Sequence, residues 1–292
     1  VEIWIYDLPS KKKVKADIGS EKDIYIPRVC WTADPNVLSI RRMNRLQNQL
    51  DLIHTQATTG VSSTVLFEKN DTYVDLEFTD DLTYLRDGKY FIFTSERSGF
   101  KHAYLYSIQG TLIRAITSGS FELSSVVGFD EKSNMLYYTS TEVSPLERHF
   151  YSISLDGKKK TKLSAKPGMH TINMSGDFQF YIDYHTAATH PMVVTLYKTK
   201  GNASVKTLED NQQLKVVLDD YGFAAKEFFS FTLADGTLLD GYLLKPKTFD
   251  AAKEYPVLVY QYSGPGSQNV SNSFGGSHFW FHQFLVQKGY IV

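Results

Sequence analysis

The 292-residue sequence predicts a mainly β chain, built first as propeller blades and ending in the opening of an α/β sheet. Three observations lead there. Leu105-Tyr-Ser107, Phe150-Tyr-Ser152 and Leu196-Tyr-Lys198 recur with tyrosine spacings of 45 and 46 residues. Each follows a second strand-like run: Phe91-Ile-Phe-Thr94, Leu136-Tyr-Tyr-Thr139 and Phe180-Tyr-Ile-Asp183. Aromatics make up 14% of the chain, with 19 Tyr and 19 Phe, as strands packed face to face require. A repeat of roughly 40–50 residues made of short strands marks a propeller blade, because a four-stranded sheet cannot bury both faces alone and must stack. A β-sandwich is the competing architecture, and it would show turn signals without a sustained long period.

Along the chain, Trp4-Ile-Tyr6 and Leu52-Ile53 occupy similar places in the repeat at looser intervals. Asp87-Gly88 and Asp156-Gly157 are hairpin turn signals. Lys11-Lys-Lys13 and Lys158-Lys-Lys160 fall at hairpin tips, where solvation explains them better than a binding patch. Arg41, Arg42 and Arg45 lie in a blade strand and are expected to pair with neighbouring acids. Cys30, in Arg28-Val-Cys-Trp-Thr32, reads as a small buried core residue. The blades are expected over residues 1–207 and a connecting helix over 208–225, with Leu214, Val217 and Leu218 on its packed side.

The start of a further domain is expected over 226–292. Strands are predicted over 227–233 and 239–244, joined by Asp235-Gly236. Tyr255-Pro-Val-Leu-Val-Tyr260 has the continuous apolar character of a strand buried on both faces. A helix follows over 277–288, with Trp280, Phe281, Phe284 and Leu285 inward and Gly289 as its stop. Residues 290–292 open another strand. A parallel sheet left at that point does not close its core, so the chain reads as an internal piece of a longer protein.

Composition excludes several function classes. With 31 basic against 32 acidic residues, the net charge of -1 supplies no field for nucleic acid. The longest uncharged stretch, residues 255–287, is laced with Gly, Ser, Asn and Gln, unlike a membrane span. A single cysteine rules out an internal disulfide and a cysteine-based zinc site. His278 and His282 stand four apart, a spacing that could hold zinc, but no zincin glutamate separates them and no third ligand is evident. They read as core or interface histidines, as do His185 and His190. No phosphate loop or dinucleotide fingerprint occurs, so neither a metal nor a cofactor is expected. Sequons begin at Asn70, Asn173, Asn202 and Asn269; with one cysteine the chain points to a bacterial source, where they would be idle.

Chemistry enters at Gln261-Tyr-Ser-Gly-Pro-Gly-Ser-Gln268, which leaves the carboxyl end of the apolar run, where open α/β sheets place ligands. The hydroxyl of Tyr262 could donate to a developing oxyanion. From spacing alone, the loop reads as a tight turn carrying a packed tyrosine.

The run from Tyr255 through that loop to Gln268 resembles the entry to the hydrolase domain of the dipeptidyl peptidase IV family, in the prolyl oligopeptidase clan of serine peptidases. Trp31-Thr32, Leu38-Ser-Ile-Arg-Arg-Met-Asn-Arg-Leu-Gln-Asn48, Gly99-Phe-Lys-His102 and Val205-Lys-Thr-Leu-Glu-Asp-Asn211 are similar to its propeller pattern in consistent order. The resemblance implies an eight-bladed propeller followed by the N-terminal part of an α/β-hydrolase domain. It implies release of N-terminal Xaa-Pro or Xaa-Ala dipeptides from peptide substrates, with Tyr262 as oxyanion donor. It also implies an exported, periplasmic or cell-surface location and a possible homodimer. No Gly-x-Ser-x-Gly elbow and no adjacent glutamate pair occurs in the sequence, so the Ser-Asp-His triad and the amino-end clamp are expected outside these residues, and the chain alone should be inactive. The alternatives are an acylaminoacyl peptidase or oligopeptidase of the same clan, or a non-catalytic propeller that binds a partner.

Overall fold

The computed structural model describes every residue except Ser263 and Pro265. Its described residues form two compact units. The first holds residues 1–123, 131–135 and 153–159, and the second holds the remainder.

In the first unit, β1 (Trp4–Asp7) pairs antiparallel with β2 (Lys12–Lys15). Two four-stranded antiparallel sheets follow in sequence order: β3 (Ile24–Trp31), β4 (Val37–Asn44), β5 (Gln49–Gln56) and β6 (Ser62–Lys69), then β7 (Leu82–Tyr84), β8 (Tyr90–Ser95), β9 (His102–Ser107) and β10 (Leu112–Ala115). Alternation along β5 sends side chains to two separate cores. Leu50 and Leu52 pack with Phe91, Phe93, Tyr104 and Tyr106, whereas Ile53 packs with Ile40, Leu38 and Ile5. Each fully buried side chain of this kind contributes roughly 1.5–3 kcal/mol.

The expected arginine pairings are present. Arg41 pairs with Asp80, Arg42 donates to Asp51 at 2.7 Å, and Arg45 lies 3.9 Å from Asp23. Cys30 departs from expectation, because it is exposed. It lies on the edge strand β3, whose residues 28–31 all face solvent.

A third sheet orders β11 (Leu123–Asp130), β12 (Met135–Ser140), β13 (His149–Ser154) and β14 (Lys160–Lys162). In the second unit, β15 (Met169–Met174), β16 (Phe180–Ala187), β17 (His190–Lys198) and β18 (Ala203–Glu209) form a fourth. The repeat now has a physical cause. Its tyrosines sit on third strands, and each stacks on an aromatic of the second strand: Phe91 with Tyr106 at 5.2 Å, Tyr138 with Tyr151 at 5.5 Å, and Tyr181 with Tyr197 at 5.0 Å. Such cross-strand pairs add about 0.5–1.5 kcal/mol beyond their burial.

After the fourth sheet, the expected helical stretch begins as strand, since Leu208 and Glu209 end β18. Helix α1 spans Gln212–Tyr221 and stops at Gly222, whose φ of 66° only glycine adopts without strain. Of its three expected core residues only Leu218 is buried; Leu214 and Val217 are exposed. The hairpin of β19 (Glu227–Thr232) and β20 (Leu238–Leu243) matches expectation, with Gly236 at the turn.

The apolar run 255–260 is not a two-sided buried strand. Val257 makes one parallel bridge to Ile291, and Val257 and Val259 are exposed. Among the described residues, 290–292 lies between this run and Leu244, giving the run one ladder neighbour. Helix α2 (Phe279–Gln287) forms where expected but presents a different face: Phe279, His282, Gln283 and Val286 are buried, while Trp280, Phe281 and Phe284 are exposed. The Gln283 amide decides this orientation, accepting from Ala224 N at 2.8 Å and donating to Ala224 O at 2.9 Å. No helix among the described residues is long and apolar enough to cross a membrane.

Gln283→Leu keeps the size but leaves both half-buried Ala224 groups without this partner, an expected cost of about 1–3 kcal/mol in all. Urea denaturation measures it, and an unchanged midpoint contradicts the assignment.

His54 is buried with its Nε2 2.8 Å from Tyr84 Oη, which donates to Ser39 at 2.7 Å. Burial lowers its pKa from 6.5 to about 4. The unfolded chain therefore takes up this proton first, so stability is complete above pH 6.5 and declines as pH falls towards 4. Denaturation at pH 7 and again near the lower end of that window should show His54→Phe losing less stability than the wild type, by about 2–3 kcal/mol.

Candidate active site

The loop that carries Tyr262 lies in the second unit. Ser263 and Pro265 are outside the described residues, and Tyr262 is 64% exposed, which leaves its ring accessible. The ring lies over Gly264, where an added Cβ would stand 2.8 Å from Tyr262 Cε1 and 2.9 Å from its hydroxyl. Only glycine permits so close an approach. The Asn269 amide donates to the Tyr262 carbonyl at 3.0 Å, and Ser267 N donates to Gly264 O at 3.1 Å. An exposed phenol on a loop tied at its main-chain carbonyl can donate a hydrogen bond to a group arriving from solvent.

Beside the loop is a cavity of about 180 Å³ whose lining includes Lys226, Tyr242, Tyr260, Asn269, His278 and His282. Burial lowers the pKa of Lys226, whose ammonium donates to Ser273 O at 2.8 Å and sits 4.9 Å from the centre of the Tyr242 ring. Burial, and then the charge of His278, lowers that of His282. The two histidines stack at 5.8 Å and both contact Tyr260. His282 is buried and His278 exposed.

Sequence reasoning missed a second group of side chains. His149, His170, His185 and His190 form a row of rings with centroid separations of 5.4, 4.5 and 4.9 Å. His170 and His185 are register partners on β15 and β16. His170 Nδ1 meets Asp183 at 2.8 Å and His149 Nε2 meets Glu147 at 2.8 Å. Burial lowers the pKa of His149 and of His185. Burial pushes the Glu147 carboxyl up, but hydrogen bonds from His149 and Asn272 outweigh it and leave its pKa lowered. Nothing in the one-dimensional spacing of these residues shows that they meet. Only the strand register brings them together.

With the geometry described, the relatives are informative. Residues 1–192 match the family described as dipeptidyl peptidase IV (DPP IV) N-terminal region. The chain belongs to that family. Dipeptidyl peptidase 4 of Trichophyton rubrum is 30% identical over 288 residues, covering 96% of this chain and 37% of the relative. That of Arthroderma otae is 29% identical over 282 residues, covering 94% of this chain and 36% of the relative. The crystal structure of Porphyromonas gingivalis dipeptidyl peptidase 4 superposes with a TM-score of 0.93 and 33% identity, over 100% of this chain and 40% of that one. The chain thus spans well under half the length of these relatives, and its mainly β architecture is that of the corresponding region of a dipeptidyl peptidase 4.

Three of the four sequon asparagines make side-chain hydrogen bonds among the described residues, and Asn70 Oδ1 accepts from Thr72 N at 3.0 Å and Thr72 Oγ1 at 2.9 Å. The Asn202 amide donates to Leu163 O at 2.7 Å and accepts from Tyr181 at 2.5 Å, and the Asn269 amide holds Tyr262.

Gly264→Ala should displace the Tyr262 ring, visible in a crystal structure of the variant. Thermal stability should stay near wild type, because substitutions in surface loops usually act within about 0.5 kcal/mol. An unmoved ring contradicts the close approach.

Proposed function

We propose that this chain is part of a serine exopeptidase that releases N-terminal Xaa-Pro or Xaa-Ala dipeptides, and that Tyr262 donates to the oxyanion of the tetrahedral intermediate. The observation that carries the reading is the match to a dipeptidyl peptidase 4 structure over 100% of this chain, so that it includes the Tyr262 loop as well as the blade-like sheets. The accessible phenol, packed on Gly264 and tied at its carbonyl, supports the role. In this reading the sheets belong to an eight-bladed propeller, residues 226–292 open an α/β-hydrolase domain, and the triad is supplied elsewhere in the longer protein. An exported location belongs to the same reading.

The chemistry follows from where charge develops. Attack on the scissile carbonyl turns a weak acceptor into an oxyanion, and a prepositioned neutral O–H stabilises that charge more than it does the ground state. In the full-length protein, Tyr262→Phe should lower kcat on a free-amine Xaa-Pro chromogenic substrate by about 10²–10³-fold with little change in KM. An unchanged kcat removes Tyr262 from the mechanism. Activity restricted to substrates with a blocked amino end would instead assign an acylaminoacyl peptidase.

A further inference from the structure

We propose that Gln268 and Arg148 are positioning residues for Tyr262, through a polar clamp that ties the tyrosine's loop to the segment joining β12 and β13. The inference rests on the oxyanion reading above and names what holds the donor in place.

The stretch from Gln261 to Ser273 has no regular secondary structure among its described residues. Among its described residues, hydrogen bonds tie it to the segment joining β12 and β13. Gln268 is the central contact. Its Oε1 accepts from Arg148 Nη2 at 2.7 Å, while its Nε2 donates to Pro145 O at 2.7 Å and Val270 O at 2.9 Å. Both ends of one amide are thus used, in the only orientation that satisfies them. Arg148 is itself immobilised. Its Nη1 donates to Pro145 O and Glu147 O, each at 2.9 Å, and its backbone bonds to Gly168 and His170.

A second anchor lies four residues on. Asn272 N donates to Leu146 O at 2.8 Å, its Nδ2 donates to Glu147 Oε1 at 2.6 Å, and its Oδ1 accepts from Ala188 N at 2.9 Å. Glu147 is buried and its other oxygen meets His149, so this anchor is rigid. The link to the phenol is direct: Asn269, next to Gln268, holds the Tyr262 carbonyl. Displacement from Gln268 therefore passes through one residue to the tyrosine backbone. An oxyanion donor tolerates little of it, since a misplacement of about 1 Å can cost 10²-fold in rate.

The test is a double-mutant cycle in the full-length protein, with kcat and KM measured on Gly-Pro-p-nitroanilide. Gln268→Ala should lower kcat about tenfold with KM nearly unchanged, because the donor is loosened and not removed. Arg148→Met should reproduce that loss, and combining the two should add little. In the Tyr262→Phe background, Gln268→Ala should have no further effect on kcat, because the group it positions is already gone. A structural role would not show that cancellation. The proposal is overturned if Gln268→Ala leaves kcat intact, or if its loss persists in full without the phenol. Gln268 is exposed, so its variant should fold, and a melting curve checks it. Failure of the underlying reading looks different: Tyr262→Phe alone then leaves kcat unchanged, and the clamp has no donor to position.

Discussion

Burial on both faces of short antiparallel sheets is the constraint on which the rest of this structure depends. A four-stranded meander is too thin to enclose a core, so each face must meet another layer. Strand β5 shows the consequence, with Leu50 and Leu52 serving one core and Ile53 another. The inner strands of each sheet therefore carry bulky side chains pointing both ways. Stacked aromatic pairs between second and third strands recur because a wide flat ring on each strand fills that space in register.

Loops follow a different rule. They cannot be held by apolar burial, and the stretch after Tyr262 is held by polar groups that reach out from a sheet connection. Arg148 donates to Gln268 and Asn272 to Glu147, while Pro145, Val270, Ala188 and His149 partner the remaining groups of these side chains. Such a network orders a backbone without enclosing it. A tyrosine on that backbone stays accessible and still has a defined place, the combination an oxyanion donor needs. The histidine row ends at Glu147 through His149, so the same carboxylate closes one side of the network and anchors the other.

Much of this was legible in the sequence. The 45- and 46-residue tyrosine spacings located the third strands, and the runs before them located the second strands. Arg42 found its acid because Asp51 is its register partner on the neighbouring strand, whereas Arg41 and Arg45 reach Asp80 and Asp23 in loops next to the sheet. Misreadings came where the pattern permitted more than one answer. Helix α2 is apolar nearly all round, so periodicity could not choose its buried face, and the Gln283 bonds to Ala224 chose it. The run 255–260 has the composition of a doubly covered strand but has one ladder neighbour among the described residues. Cys30 has a small apolar side chain, yet its strand is an edge.

By itself, the sequence determined the mainly β character, the repeat, the hairpin turns and the position of the tyrosine loop, because each depends on residues close together or on a fixed period. Tertiary structure decided what required distant segments to meet. His149, His170, His185 and His190 become a row only when strands align. Gln268 meets Arg148 across 120 residues of sequence. Hydrogen bonding and ring contact act over a few ångströms, and a linear order of residues carries that distance only for near neighbours.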